Sequence, residues 1–209
     1  MADITKNGII VNPSTGSGDT TLKVKAQTAN RGNRIKQTAT FTVTAPGVKG
    51  SKTFTANHLP AAEFVKFDNG STQAVDKAGG KITITGTSNS SILTFTKGSG
   101  DIVTANITAL DYTANGSDAT NGVEIADDPG ASAKYAFSIE LDATANDTID
   151  ARTQQITVKA ASTSVTATIT LNQTAGDPTL EVSPTSVDVP QDGSEVSVQV
   201  MTNTTFTVA

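Results

Sequence analysis

The strongest constraint on this chain is an internal repeat that begins halfway through one unit and stops halfway through another. Residues 41–58 (FTVTAPGVKGSKTFTANH) align without a gap on residues 156–173 (ITVKAASTSVTATITLNQ). Upstream, the tripeptide TAN at 28–30 returns at 144–146. A different stretch, residues 75–89 (VDKAGGKITITGTSN), aligns without a gap on residues 189–203 (VPQDGSEVSVQVMTN). Three segments follow. Residues 1–60 carry only the second, closing half of the unit and end where ANHLPAAE breaks the strand pattern. Residues 61–176 carry both halves, and residues 177–209, divided from them within the linker TAGDP, carry only the opening half. Repeated units that cannot bury their own faces need neighbours. A chain cut this way points to assembly rather than catalysis.

Local patterning makes these units β-structure. LKVKA from Leu22, KITIT from Lys81, YAFSIEL from Tyr135, TATITL from Thr166 and EVSVQV from Glu195 alternate at period two. Strands with one buried and one wet face read this way, and no long segment spaces its apolar residues at helical intervals. Turn dipeptides stand between the runs: Asn-Gly at Asn7, Asn69, Asn115 and Asn121, Gly79-Gly80 and Asp192-Gly193. Hydrophobic residues make up 36% of the 209, which is thin for one thick core and enough for two-sheet sandwiches. The reading is all-β throughout.

Little here supports chemistry. A net charge of −5 argues against nucleic acid, whose binding needs a basic stripe. There is no cysteine, and so no disulfide or thiolate chemistry. His58, the sole histidine, aligns with Gln173, which marks it as an end-of-strand structural residue rather than a base. No GxSxG sequence occurs, and Gly16-Ser17-Gly18 and Gly98-Ser99-Gly100 read as turns, not phosphate loops. Neither catalytic residues nor a cofactor are expected. Asp127 and Asp128, with Asp118 and Glu124 nearby, are the one candidate calcium cluster. Without DxDxDG spacing they read as a solvated acidic loop. Tyr135 alternates with Phe137 and Ile139 and belongs to a core. Tyr112 lies in LDYTANGSDATNG, read as a polar loop insertion, and is the best single candidate for a ligand contact. The Asn-x-Ser/Thr triplets at Asn69, Asn106 and Asn203 follow from Ser/Thr richness. No run approaches a membrane span, and MADITKNGIIVNP lacks a basic stretch followed by an apolar run. The expectation is a chain made in the cytosol and released in a particle.

The tail carries a family pattern: a strand, Ser183-Pro184, a second strand, Gly193, an alternating strand at 196–200, then Thr202-Asn203 ahead of Phe206. It resembles the opening half of a BACON domain, an Ig-like β-sandwich module of Bacteroidetes. The family's closing half is similar to Asn146, Arg152, residues 156–158 and residues 171–173, and its entry element to Asn12-Pro13, Gly16 and Gly18. The family's tryptophans are absent, with Phe206 and Ile92 at the position where an aromatic follows TN. The resemblance implies tandem immunoglobulin-like, BACON-like β-sandwiches, one complete and two half units. It also implies either of two settings: carbohydrate or mucin binding, or a virion protein of crAss-like gut phages. The missing leader favours the second, a capsid decoration protein on the virion surface.

Each half unit would expose an apolar face and open edges. In the first segment Leu22, Val24, Phe41, Val43 and Phe54 need a covering sheet; in the tail Val187, Val189, Val196, Val198, Val200 and Phe206 do. The tail folds back on the first segment, or completes a neighbouring copy, or each half docks on a partner such as a major capsid protein. A fourth outcome is a compact incomplete first segment with a disordered tail. The competing functions are a glycan- or mucin-binding module, through Tyr112, and a passive spacer. No nucleic acid or membrane partner is expected.

Overall fold

The computed structural model describes residues 2–107, 110–114, 116–123, 135–161 and 164–209. Among them there are sixteen strands and no helix, and hence no helix long and apolar enough to cross a membrane. The alternating runs become strands because side chains on successive residues point to opposite sheet faces.

The first segment holds β1 (Ile4–Lys6), β2 (Ile9–Asn12), β3 (Lys23–Ala26), β4 (Gln37–Val43) and β5 (Lys52–His58). Asn7 and Gly8 turn β1 into β2 with φ of 48° and 69°, as a two-residue hairpin requires. A three-stranded sheet, β1-β2-β3, faces the β4-β5 hairpin. Ile9, Val11, Ala39 and Phe41 are buried between them, and Phe54 and Ala56 pack alongside. Phe41 stacks on Phe54 with ring centroids 5.2 Å apart.

The middle segment supplies β6 (Val65–Phe67), β7 (Thr72–Val75), β8 (Gly80–Ser88), β9 (Leu93–Lys97), β10 (Leu110–Ala114), β11 (Ser117–Asp118), β12 (Tyr135–Ala143), β13 (Arg152–Ala160) and β14 (Thr166–Gln173). One sheet has the order β11-β10-β12-β8-β6 and the other β7-β14-β13-β9. Their inner faces form one core in which Ile84, Ile102, Ile139, Ile156, Val158, Ile169 and Leu171 are fully buried. Phe137 meets Phe67 and Phe95 edge-on. Tyr135, Phe137 and Ile139 all point into this core, as their alternation predicts.

The tail forms the hairpin β15 (Leu180–Ser183) and β16 (Gln199–Thr202). The alternating run 195–200 therefore becomes strand only from Gln199. Among the described residues no strand pairs with 195–198, and without ladder hydrogen bonds the run is not held as strand.

The aligned stretches keep their pairing. Phe41 faces Phe54 where Ile156 faces Ile169, and Gln37 faces His58 where Arg152 faces Gln173. Likewise β15 pairs β16 as β6 pairs β8: Leu180 faces Thr202 where Val65 faces Ser88.

Candidate functional site

Four asparagines recur at equivalent places and tie the segments together. Asn146 donates from Nδ2 to the carbonyls of Asp150 (2.8 Å) and Thr174 (2.9 Å) and accepts the Thr148 amide (3.1 Å). Asn30 does the same to Arg34 (2.7 Å), Leu59 (3.2 Å) and the Gly32 amide (3.0 Å). Each closes the loop ahead of one strand against the end of the next.

The second pair spans the joints. Asn89 Nδ2 donates to the carbonyls of Arg31 (3.3 Å) and Ala62 (2.9 Å), and its Oδ1 accepts the Phe64 amide (2.8 Å). Asn203 Nδ2 donates to the carbonyls of Asp147 (2.8 Å) and Asp177 (2.9 Å), and its Oδ1 accepts the Thr179 amide (2.9 Å). The tail thus sits on the middle segment through the bonds by which the middle segment sits on the first. Lys77 adds an ion pair to Asp177 at 2.5 Å. A groove of about 680 Å³ runs along this joint, lined by Lys77, Asn146, Asp147, Glu181, Met201 and Asn203 among others.

Among the described residues, both terminal segments leave sheet edges uncovered. In the middle segment β12 has β10 on one side and β8 on the other. On the β10 side, Val103 pairs with Ala143 and the Thr144 amide donates to Ile102. In the first segment, Ile9 pairs with Ala26 and the Gln27 amide donates to Gly8. Ala26 and Ala143 both face inward, so these amides point to the same side, because chirality fixes that direction once side-chain face and chain direction are set. Strand β2 therefore stands on the β10 side of β3. The free edge of β3 is the one that β8 covers in the middle segment. By the same comparison, the free edge of β5 corresponds to the edge of β14 that β7 covers, in parallel.

Several expected contacts behave differently. Phe41 is only 6% exposed and belongs to its own segment's core, with Phe54 half-buried against it; neither is a free docking residue. Ile9 and Val11, which sequence reading did not single out, cover them. Leu22, Val24 and Val43 do remain exposed beside the open edges, as do Val187, Val189, Val196, Val198 and Phe206 in the tail, while Val200 is half-buried. Tyr112 is not in a loop. It lies on β10, 3% exposed, and its hydroxyl donates to the Ser90 carbonyl at 2.5 Å. The run reads as polar because Thr, Asn and Asp surround it, yet its backbone pairs with β12 and carries the ring into the core. A ligand has no access to that ring.

His58 ends β5, with Nδ1 3.3 Å from Gln37 Oε1. Its counterpart Gln173 is buried, accepts from Arg152 (2.7 Å) and donates to the carbonyls of Asp76 and Thr144. Arg152 also reaches Asp101 at 2.9 Å. Of the acidic cluster, Asp118 is exposed on β11, whereas Glu124, Asp127 and Asp128 lie outside the described residues. Among the described residues no group of three His, Cys, Asp or Glu is placed to hold a metal ion.

Compared with known proteins, the chain matches no family model and no curated protein sequence.

Proposed function

We propose that this chain is a non-enzymatic structural protein built from Ig-like, BACON-like β-sandwich units, serving as a decoration or auxiliary capsid protein of a bacteriophage. The observation that supports this reading is the pair of open half sheets at opposite ends of a closed middle unit. Open edges bordered by Leu22, Val24 and Val43 at one end, and by Val196 and Val198 at the other, are surfaces that protein covers. The partner is the major capsid protein, neighbouring copies of the chain, or both, and the place of action is the capsid surface. The half units act as adhesive ends that bridge adjacent subunits of a shell, leaving the closed middle unit facing outward.

The test is peptide mass spectrometry of purified virions from the phage whose genome carries this chain, alongside cryo-electron microscopy of their shells. The expected result is a fixed copy number relative to the major capsid protein, with density on the shell. Intact particles without the chain overturn the proposal.

A further inference from the structure

We infer that the first segment of one copy completes the tail of another, edge to edge, in the register by which the middle segment's own halves join. This deepens the assembly reading by naming its partner, a second copy of this chain.

The middle segment provides the template. There β8 pairs β12 with Lys81 opposite Asp142, Ile82 opposite Leu141, Thr83 opposite Glu140 and Ile84 opposite Ile139. The tail equivalents of these β8 residues are Glu195, Val196, Ser197 and Val198, from the gap-free alignment ending at Asn203. The β3 equivalents follow from Ala26 matching Ala143, with Gln27 as one extra residue before TAN. Lys25 then falls opposite Glu195, Val24 opposite Val196, Lys23 opposite Ser197 and Leu22 opposite Val198.

This register is complementary in two independent ways. In the middle segment Lys81 bonds Glu140 and lies 3.6 Å from Asp142. Between copies the same three positions become Glu195 with Lys23 and Lys25, so every sign is inverted and the attraction is kept. Opposite charges across a strand pair favour that register, and like charges oppose it. The apolar pairs match as well: Val24 with Val196 and Leu22 with Val198 are four residues now exposed. Val24 lies opposite buried Val11, and Val196 and Val198 hold the alternate positions that Ile82 and Ile84 fill in β8.

The tail is already shaped for its partner. Gly193 has φ of 79° and its amide bonds Pro190, as Gly79 has φ of 70° and bonds Asp76. A Cβ on Gly79 would lie 2.4 Å from the Ala143 carbonyl of β12, whereas one on Gly193 meets nothing within 4 Å. The turn is formed, and among the described residues no strand stands beside it where β12 stands beside Gly79. Residues 186–189, equivalents of β7, would add in parallel to β5 as β7 adds to β14.

Completion runs between copies rather than within one. The first segment meets the middle segment at Asn89, just past the end of β8, and the tail meets it around Lys77, just before the start of β8. Nine residues of strand separate the two joints by roughly 27 Å. Because the surfaces differ, the contact is heterologous, and it propagates as a filament or closes as a ring.

Two measurements on the full chain decide it. With no native cysteine, Lys23→Cys and Ser197→Cys in one chain should give a ladder of disulfide-linked oligomers under mild oxidation. Lys25→Cys with Gln199→Cys, four residues out of register, should not. In light scattering, Glu195→Lys should weaken association about tenfold, and adding Lys23→Glu and Lys25→Glu should restore it. Association that ignores the charge reversals and yields no in-register cross-link overturns the proposal, and so does a chain monomeric at every concentration. Neither result touches the virion reading, which fails only if particles lack the chain.

Discussion

At the scale of single residues, asparagine amides do the joining. Each offers two donors and an acceptor in one rigid plane, so one side chain can satisfy three backbone groups at a loop or joint. Asn146 is buried, and Asn146→Ala leaves those groups unpaired away from water; the expected loss is about 2–3 kcal/mol in urea unfolding of the middle segment. Asn30→Ala should cost less, because Asn30 is itself only half-buried and water can take its place. Tyr112→Phe should lower stability by about 1 kcal/mol, the net worth of its hydroxyl bond, with no sign of an exposed binding ring. Asp192 caps the tail turn by accepting the Ser194 amide and hydroxyl at 3.0 and 2.7 Å. The backbone bond from Ser194, aided by the hydroxyl, lowers its pKa from 3.8. That cap is therefore at full strength above pH 3.8 and is lost as pH falls through the lowered value. The Ser194 amide shift in an NMR titration should follow that acid limb and stay flat near neutrality.

At the scale of elements, edges decide what the chain holds together. Strands β13 and β14 bury Ile156 and Ile169 opposite one another, and Ile156→Ala should cost about 2–5 kcal/mol through the cavity left in a closed core. Gly79→Ala adds a Cβ 2.4 Å from the Ala143 carbonyl to a positive φ, so it should destabilise more than Gly193→Ala, which meets open space in the isolated chain. Calorimetry of both variants in dilute solution gives the comparison. Residues 195–198 show the converse: good alternation, no paired strand among the described residues, and no strand of their own. Their amides should exchange rapidly in dilute protein and gain protection as concentration rises, read by hydrogen exchange.

At the scale of the whole molecule, cohesion is uneven. Seventeen described residues form the buried core of the middle segment, against four in the first segment. Burial scales with stability, so the segments should not melt as one. Heating should produce an early transition for the first segment and tail, then a later one for the middle. A single transition with calorimetric and van't Hoff enthalpies equal would contradict this. Asn89 and Asn203 make matching joints, so in the proposed assembly a completed copy would repeat the same geometry.

What the sequence determined by itself is most of the strands, their alternating faces and the phase of the repeat; β10 read as a polar loop, and residues 195–198 read as strand. The gap-free alignment even carried hairpin register, since Phe41–Phe54 and Ile156–Ile169 occupy matching pairs. These are local properties, written in period-two alternation and turn residues. Only the tertiary structure decided that Ile9 and Val11 close over Phe41, that Tyr112 is core, that the TAN asparagines close loops, and that Asn89 and Asn203 mark joints. It alone showed which edge of β3 is free. Period two records which face of a strand meets water, but an edge is defined by what pairs from elsewhere in the chain. That partner comes from a distance no local pattern encodes.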